Sequence, residues 1–427
     1  MDLLISGALV VTCDATRRVL ENAAVAITGD RIAAVGDAAT LEPAFPDHAR
    51  MDGRGLALLP GLINAHTHTI LTALRGTVED WDGDIIYRYM SPVSYTMSDN
   101  ERAVMASLGC LEAIRSGSTT LVDPFRHVGS YAAAMADTGL RLWLSESCAD
   151  IDTRRIRFGD YSIDEAFGRT FLDRTEALIE AWHGARDGRV RVQVAAHGLT
   201  PAAYLDREGF LGPDLTCAHW TFCTPDDIGL LAARGVHMAH CPANSSRKGP
   251  HGVLIGPIRD AGVNIALGTD NMTEDMFQAM KIGMILHRFG LGRERPGGVE
   301  PQPQAVLDML TVNAARTLGA EAEIGAIEPG KKADLTLIDL NQPVMRPLLR
   351  PVANIVHYGH PGIVHSVLVD GQFVMRERKV LSIDEPALLA EAQAVTERVW
   401  QRMLAANPDI MPPPDPQPWL GTRMAAR

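Results

Sequence analysis

Nowhere in the 427 residues does an apolar run reach the roughly eighteen needed to cross a bilayer, and Met1 to Val11 lacks a basic stretch followed by a long apolar one. The sequence therefore predicts no signal peptide and no membrane span. The six cysteines, Cys13, Cys110, Cys148, Cys217, Cys223 and Cys241, never form a CxxC pair. That argues against a disulfide framework and a cysteine zinc cluster, and it suits a reducing cytoplasm. No block of basic residues offsets the formal charge of −12, so nucleic acid and anionic membrane are poor partners. GxSxG, a P-loop and a Gly-rich dinucleotide fingerprint after a strand are all missing.

What is present is ample apolar material: 46% hydrophobic and 22% charged residues, near globular averages, so a large core is available. The length exceeds one ordinary domain and fits an α/β barrel of roughly 250 residues with a smaller partner. From Leu3 to Val35, short apolar runs separated by Gly, Asp and Asn read as hairpins. The signature returns in ADLTLIDL (333–340) and SVLVDGQFVM (366–375), where Asp370-Gly371 is a two-residue hairpin signal. One β domain drawn from both ends, over 1–57 and 326–384, is the expectation, with 58–325 as an inserted domain, although alternation alone does not say which strands meet. Residues 385–427 add a helix (387–406) and a Pro-rich tail.

Between those ends, β-rich runs alternate with helix-length segments, the pattern of repeated βα units. Seven strands are predicted: 59–68, 118–124, 140–147, 190–197, 214–219, 235–242 and 264–270. Residues 103–117 read as a helix closed by Gly117. Seven is one short of a closed eightfold barrel. The shortfall lies between His197 and Asp214, where about sixteen residues allow one short crossover helix and no further strand.

Reactive residues of such barrels sit where strands end. His66 and His68 close the first strand on one side of its pleat, and a buried imidazole pair without a shared task would be costly. Other strands end at His197, at His219, near His240 and at Asp270, an imidazole and carboxylate set suited to Zn²⁺ or Fe²⁺ with an open position for water. Lone histidines such as His183, His287 and His357 read as surface or hydrogen-bonded core residues.

PGLINAHTH (60–68), AHCPANS (239–245), LGTDN (267–271), and TVNAARTLG followed by EIGAIEPGKKADLTLIDL resemble the amidohydrolase superfamily. More narrowly they resemble its aminohydrolases and chlorohydrolases of N-heterocycles such as guanine, cytosine, S-adenosylhomocysteine and s-triazines. The likeness runs over nearly the whole chain. It implies a TIM-like (β/α) barrel beside a β-sandwich formed by both termini, one divalent metal ion, a small N-heterocyclic substrate and a homo-oligomer. It makes His66, His68 and Asp270 metal ligands, Asp270 also the base, and His219 the group touching the attacking water or the substrate. His240 falls behind the ligands or on the substrate side.

The chain departs from that family on the fifth strand, where a further metal histidine is commonly followed three residues later by a glutamate. His197 is the only histidine available there, and Gly198-Leu199-Thr200 follows it. The two halves look joined across a missing strand-helix unit. Either His197 takes the third-ligand position and another acid such as Glu146 serves, or the site is incomplete. No lysine precedes Lys248, so a dinuclear centre bridged by a modified fourth-strand lysine is not expected. The resemblance implies hydrolytic removal of an amino group, or of another leaving group such as chloride, by hydroxide on the metal. Residues 74–89 are the candidate substrate-covering loop, with Trp81 placed to stack on a flat ring. The competing expectation is a catalytically degenerate barrel that serves as a binding or assembly protein.

Overall fold

The computed structural model describes residues 2–79, 85–198, 201–247, 255–289 and 298–410. Trp81 and the Pro-rich tail, both singled out from sequence, lie outside them. Strands from the two ends of the chain pair in one sheet. Strands Leu3–Val11, Val19–Thr28 and Arg31–Asp37 join Leu56–Pro60, which pairs antiparallel with Leu335–Asp339. Together with Val364–Val369, Gln372–Arg376, Lys379–Val380 and Ala49–Asp52 they form one nine-stranded sheet. Ile5, Val25 and Ile27 from one arm pack with Leu335, Leu337 and Leu368 from the other in a shared apolar core. Asp370 and Gly371 both take positive φ, +49° and +69°, the hairpin that their pairing predicts.

The sequence pattern read 59–68 as one strand, but the chain divides it. Leu59 and Pro60 pair with Thr336 and Leu335 in the terminal sheet, and only Leu62–Asn64 enters the barrel. The other six predicted barrel strands all form: Ser118–Phe125, Arg141–Cys148, Val190–Val192 continued by Ala195–Ala196, Thr216–Ala218, His237–His240 and Ile265–Leu267. The helix Asp99–Arg115 starts at a Ser98–Glu101 capping box, which satisfies its first amides. The C-terminal helix Glu385–Ala406 lies against it, with Trp400 donating to the Ala73 carbonyl at 2.9 Å and Arg402 paired with Glu101 at 2.5 Å.

Barrel strands pair in parallel as a five-stranded and a three-stranded group. The groups are stitched at one side by main-chain bonds: Ala65 N to Leu267 O at 3.0 Å, Asp270 N to His66 O at 2.9 Å and His68 N to Asp270 O at 2.9 Å. On the other side, among the described residues, no strand pairing joins Ala195–Ala196 to Thr216–Ala218. This open seam falls where the sequence is a unit short. Val194, in the break between Val190–Val192 and Ala195–Ala196 beside this seam, is 69% exposed. Within the barrel, Ile63, Ala65, Val122, Trp143, Ala239 and Ala266 fill the interior.

Candidate metal centre

Four polar side chains converge above that apolar plug. Asp270 Oδ1 lies 3.4 Å from His68 Nε2 and 3.7 Å from His66 Nε2, and its Oδ2 lies 3.7 Å from His219 Nε2. Asn244, from the short helix Pro242–Arg247, donates its amide to Oδ2. The placement depends on backbone that ordinary strand geometry does not supply. His219, Trp220 and Asp270 take left-handed φ of +70°, +54° and +67°, which re-aims the side chains where their strands stop. Gly268 lies against the His66 backbone: a Cβ there would meet its carbonyl oxygen at 2.7 Å and its nitrogen at 2.8 Å.

A brace behind His66, His68 and Asp270 holds the two strand ends in register. Glu274 is buried, and its carboxylate accepts from Asn64 Nδ2 at 2.9 Å, Thr67 Oγ1 at 2.6 Å and Thr269 Oγ1 at 3.3 Å. Burial outweighs those bonds and pushes its carboxyl well above the ordinary range. Asp123 anchors the turn after His68 by accepting from Thr69 N at 3.1 Å and Thr69 Oγ1 at 2.6 Å, and its other oxygen faces His68 Nδ1 at 4.0 Å. Burial lifts Asp123 to about 7 against the pull of those bonds. None of Asn64, Asp123, Asn244 or Glu274 was singled out by sequence. Their spacing to the motif residues, two before His66, four after His240 and four after Asp270, was the available signal for three of them.

His66 Nε2 and His68 Nδ1 are buried and make no hydrogen bond. Burial, partly offset by Asp270, lowers His66 to about 4, and burial with the neighbouring His66 lowers His68 well below the usual value, so both rings are neutral and carry free lone pairs. One ligand atom from each of His66, His68 and Asp270 lies within 4.8 Å of the others. Two neutral imidazoles, a carboxylate and orphaned buried nitrogens fit a divalent cation, whose binding would satisfy them.

His197 stands further out. It is not in that close set, but its Nε2 is buried and unpartnered, and burial, Arg126 and His66 together lower it to about 3. Glu146 turns away from the centre: its carboxylate accepts the His127 amide at 3.0 Å, three residues beyond the interior-facing Trp143. His240 packs face to face on His287 of the helix Met276–Phe289, ring centroids 5.1 Å apart, and neither ring nitrogen of either residue has a hydrogen bond. His183 accepts from Val192 N at 3.2 Å, as expected of a hydrogen-bonded structural histidine.

The sequence model of the amidohydrolase family matches residues 57–204 and 198–374, two stretches that meet at the open seam. A second model, for the composite domain of bacterial imidazolonepropionase-like proteins, matches residues 23–47, which run from the second strand of the terminal sheet through the short helix Ala38–Ala44. A 5-methylthioadenosine/S-adenosylhomocysteine deaminase of Moorella thermoacetica is 30% identical over 432 residues, covering 89% of this chain and 95% of its own. A zinc-bound adenosine deaminase of Xanthomonas campestris superposes with TM-score 0.82 at 25% identity, covering 93% of this chain and 98% of its own. An atrazine chlorohydrolase of Arthrobacter aurescens, also with zinc, gives TM-score 0.80 at 21% identity over 92% and 100% of the two chains. With the family model matched over more than half of its length, this chain belongs to the amidohydrolase family.

Proposed function

We propose that the protein is a metal-dependent hydrolase that removes an amino group from an N-heterocycle of the adenine-nucleoside type. The observation that carries this reading is the convergence of two orphaned neutral imidazoles and one carboxylate at a barrel end, with His219 against the carboxylate's second oxygen. His66, His68 and Asp270 would hold the ion, zinc first and iron second, with His197 as a further nitrogen at the edge of the site. When bound, such an ion lowers the pKa of a water toward neutrality and polarises the bond under attack.

The chain's own groups do the rest. Asp270 directs Oδ1 to the ligand side and Oδ2 to His219, so it is placed to take the proton of the attacking water and pass it to the leaving nitrogen. Asn244 fixes the second oxygen and His219 stabilises charge as it develops on the ring. With Glu146 committed to the main chain at His127, the proton for the leaving group is assigned to Asp270.

The test is product release from zinc-loaded protein. Ammonia from 5′-methylthioadenosine, S-adenosylhomocysteine or adenosine, abolished in Asp270→Asn, is expected. Chloride from a chlorotriazine without ammonia from any nucleoside would reassign the leaving group. Neither product from metal-replete protein would overturn the enzyme reading in favour of a degenerate barrel.

A further inference from the structure

The second barrel strand ends at Phe125, whose ring packs 4.6 Å from that of His68, and the next residue is Arg126. Arg126 is 2% exposed, among the largest fully buried side chains of the protein. Its guanidinium lies 5.4 Å from the Tyr95 ring centroid and 5.2 Å from that of Phe125. Nη1 donates to Ser91 Oγ at 2.6 Å and Ser94 Oγ at 3.3 Å. Among the described residues no carboxylate pairs with it, and Nε and Nη2 meet no acceptor. The contrast is with the other fully buried arginine, Arg141, which holds Asp334 at 2.8 Å and also Asp370. Arg102 and Arg154 nearby are likewise paired, with Asp99 and Asp152 at 2.7 Å each.

Serine hydroxyls and ring faces orient a guanidinium but do not neutralise it, and Asp152, already held by Arg154, acts on it only from longer range, so the buried charge is weakly compensated and expensive. Two further groups around it are also unpartnered: the Tyr95 hydroxyl and His127 Nε2, both buried, with their rings edge to face at 5.5 Å. Although the protein carries a net charge of −12, four arginines, at 102, 126, 154 and 174, act together on His127. Arg126 stands at the mouth of the barrel, and its charge is felt by His197, which in turn feels His66. A positive, desolvated, donor-rich corner therefore lies beside the metal centre.

We infer that Arg126, with the Tyr95 hydroxyl, binds an anionic substituent of the substrate, a carboxylate or a phosphate carried on the sugar side of the nucleoside. The inference rests on the proposed N-heterocycle reading and adds a substrate class to it. Arg126 is a specificity residue here and takes no part in proton transfer.

Binding to the zinc-loaded full-length protein is read by calorimetry, which does not depend on turnover. The probes are neutral 5′-methylthioadenosine, S-adenosylhomocysteine with its carboxylate, adenosine 5′-monophosphate with its phosphate, and inorganic phosphate alone. One acid-bearing nucleoside is expected to bind about 10- to 100-fold more tightly than the neutral one, the span of a charge-assisted pair. Which acid wins tells carboxylate from phosphate. In Arg126→Gln the acid-bearing ligand loses at least about tenfold more affinity than the neutral one, and Arg126→Lys lies between. No acid preference in wild type, a preference that survives Arg126→Gln, or no binding of any probe would overturn the inference. Should Arg126→Gln fail to fold, the wild-type ratio and Arg126→Lys decide it. Acid preference without ammonia release leaves this inference standing while defeating the proposed deamination, so the two fail separately.

Discussion

Glu274 is the residue on which the geometry of the centre turns, although it is outside the proposed metal-ligand set. Its carboxylate receives Asn64, Thr67 and Thr269, and those residues flank His66, His68 and Asp270. Glu274→Ala leaves the Asn64 amide without this acceptor in a buried position, at about 1–3 kcal/mol. The vacated volume adds a penalty, giving a total on the order of 3–5 kcal/mol. Glu274→Gln keeps the shape and one acceptor oxygen, which can face Asn64 while its amide faces Thr67 Oγ1. Thr67 can then donate to the Asp270 carbonyl, 3.0 Å away, so the cost falls to about 1 kcal/mol. Residues that orient metal ligands typically matter 10- to 100-fold in metal affinity, and Glu274→Ala should lose about that much while Glu274→Gln loses little. Chelator competition measures the affinity and thermal melting of the metal-free protein measures the stability. Unchanged metal affinity in Glu274→Ala would refute the bracing role.

Gly268→Ala forces a methyl into the His66 main chain, so melting should drop by the equivalent of about 1–3 kcal/mol or more, with zinc binding lost in parallel; wild-type binding would count against the close packing. Arg141→Met strands Asp334 between the third barrel strand and the terminal sheet, while Asp370 keeps Lys332 at 3.5 Å and Arg189 at 3.9 Å, and denaturant titration should report a loss of about 3–5 kcal/mol. His287 supplies a pH dependence. Burial, and to a lesser degree Arg259, lowers it to about 4, so the unfolded chain with its ordinary histidine takes up the proton first as pH falls. Stability is complete above about 6.5 and drains between there and about 4, to the extent of about 3 kcal/mol for this group. His287→Gln should flatten the pH dependence of unfolding of the metal-free protein in that window, and an unaltered slope would remove His287 as its source.

Much of the architecture was legible because it rests on local periodicity. Seven barrel strands, the hairpin at Asp370-Gly371 and the HxH pair follow from alternation and turn chemistry. The division of residues 59–68 between two sheets was not readable, since every residue from Leu56 to Ile63 is apolar or small whichever sheet it joins. The facing of Glu146 was within reach: Trp143 points inward, so period two turns residue 146 outward. The same parity sets Ala239 inside and His240 against the helix bearing His287, a partner some forty-seven residues away that no local pattern announces. Asn64, Asn244 and Glu274 were missed for a related reason. Their roles are long-range hydrogen bonds, and isolated polar residues beside a motif look like any loop polarity until the strands are assembled.

The most direct test is metal content per chain by elemental analysis of protein expressed with added zinc, for wild type, His68→Ala and His197→Ala. The account predicts about one zinc or iron per wild-type chain, near loss in His68→Ala, and reduced occupancy in His197→Ala. Metal-free wild-type protein, or full occupancy retained by His68→Ala, would contradict it.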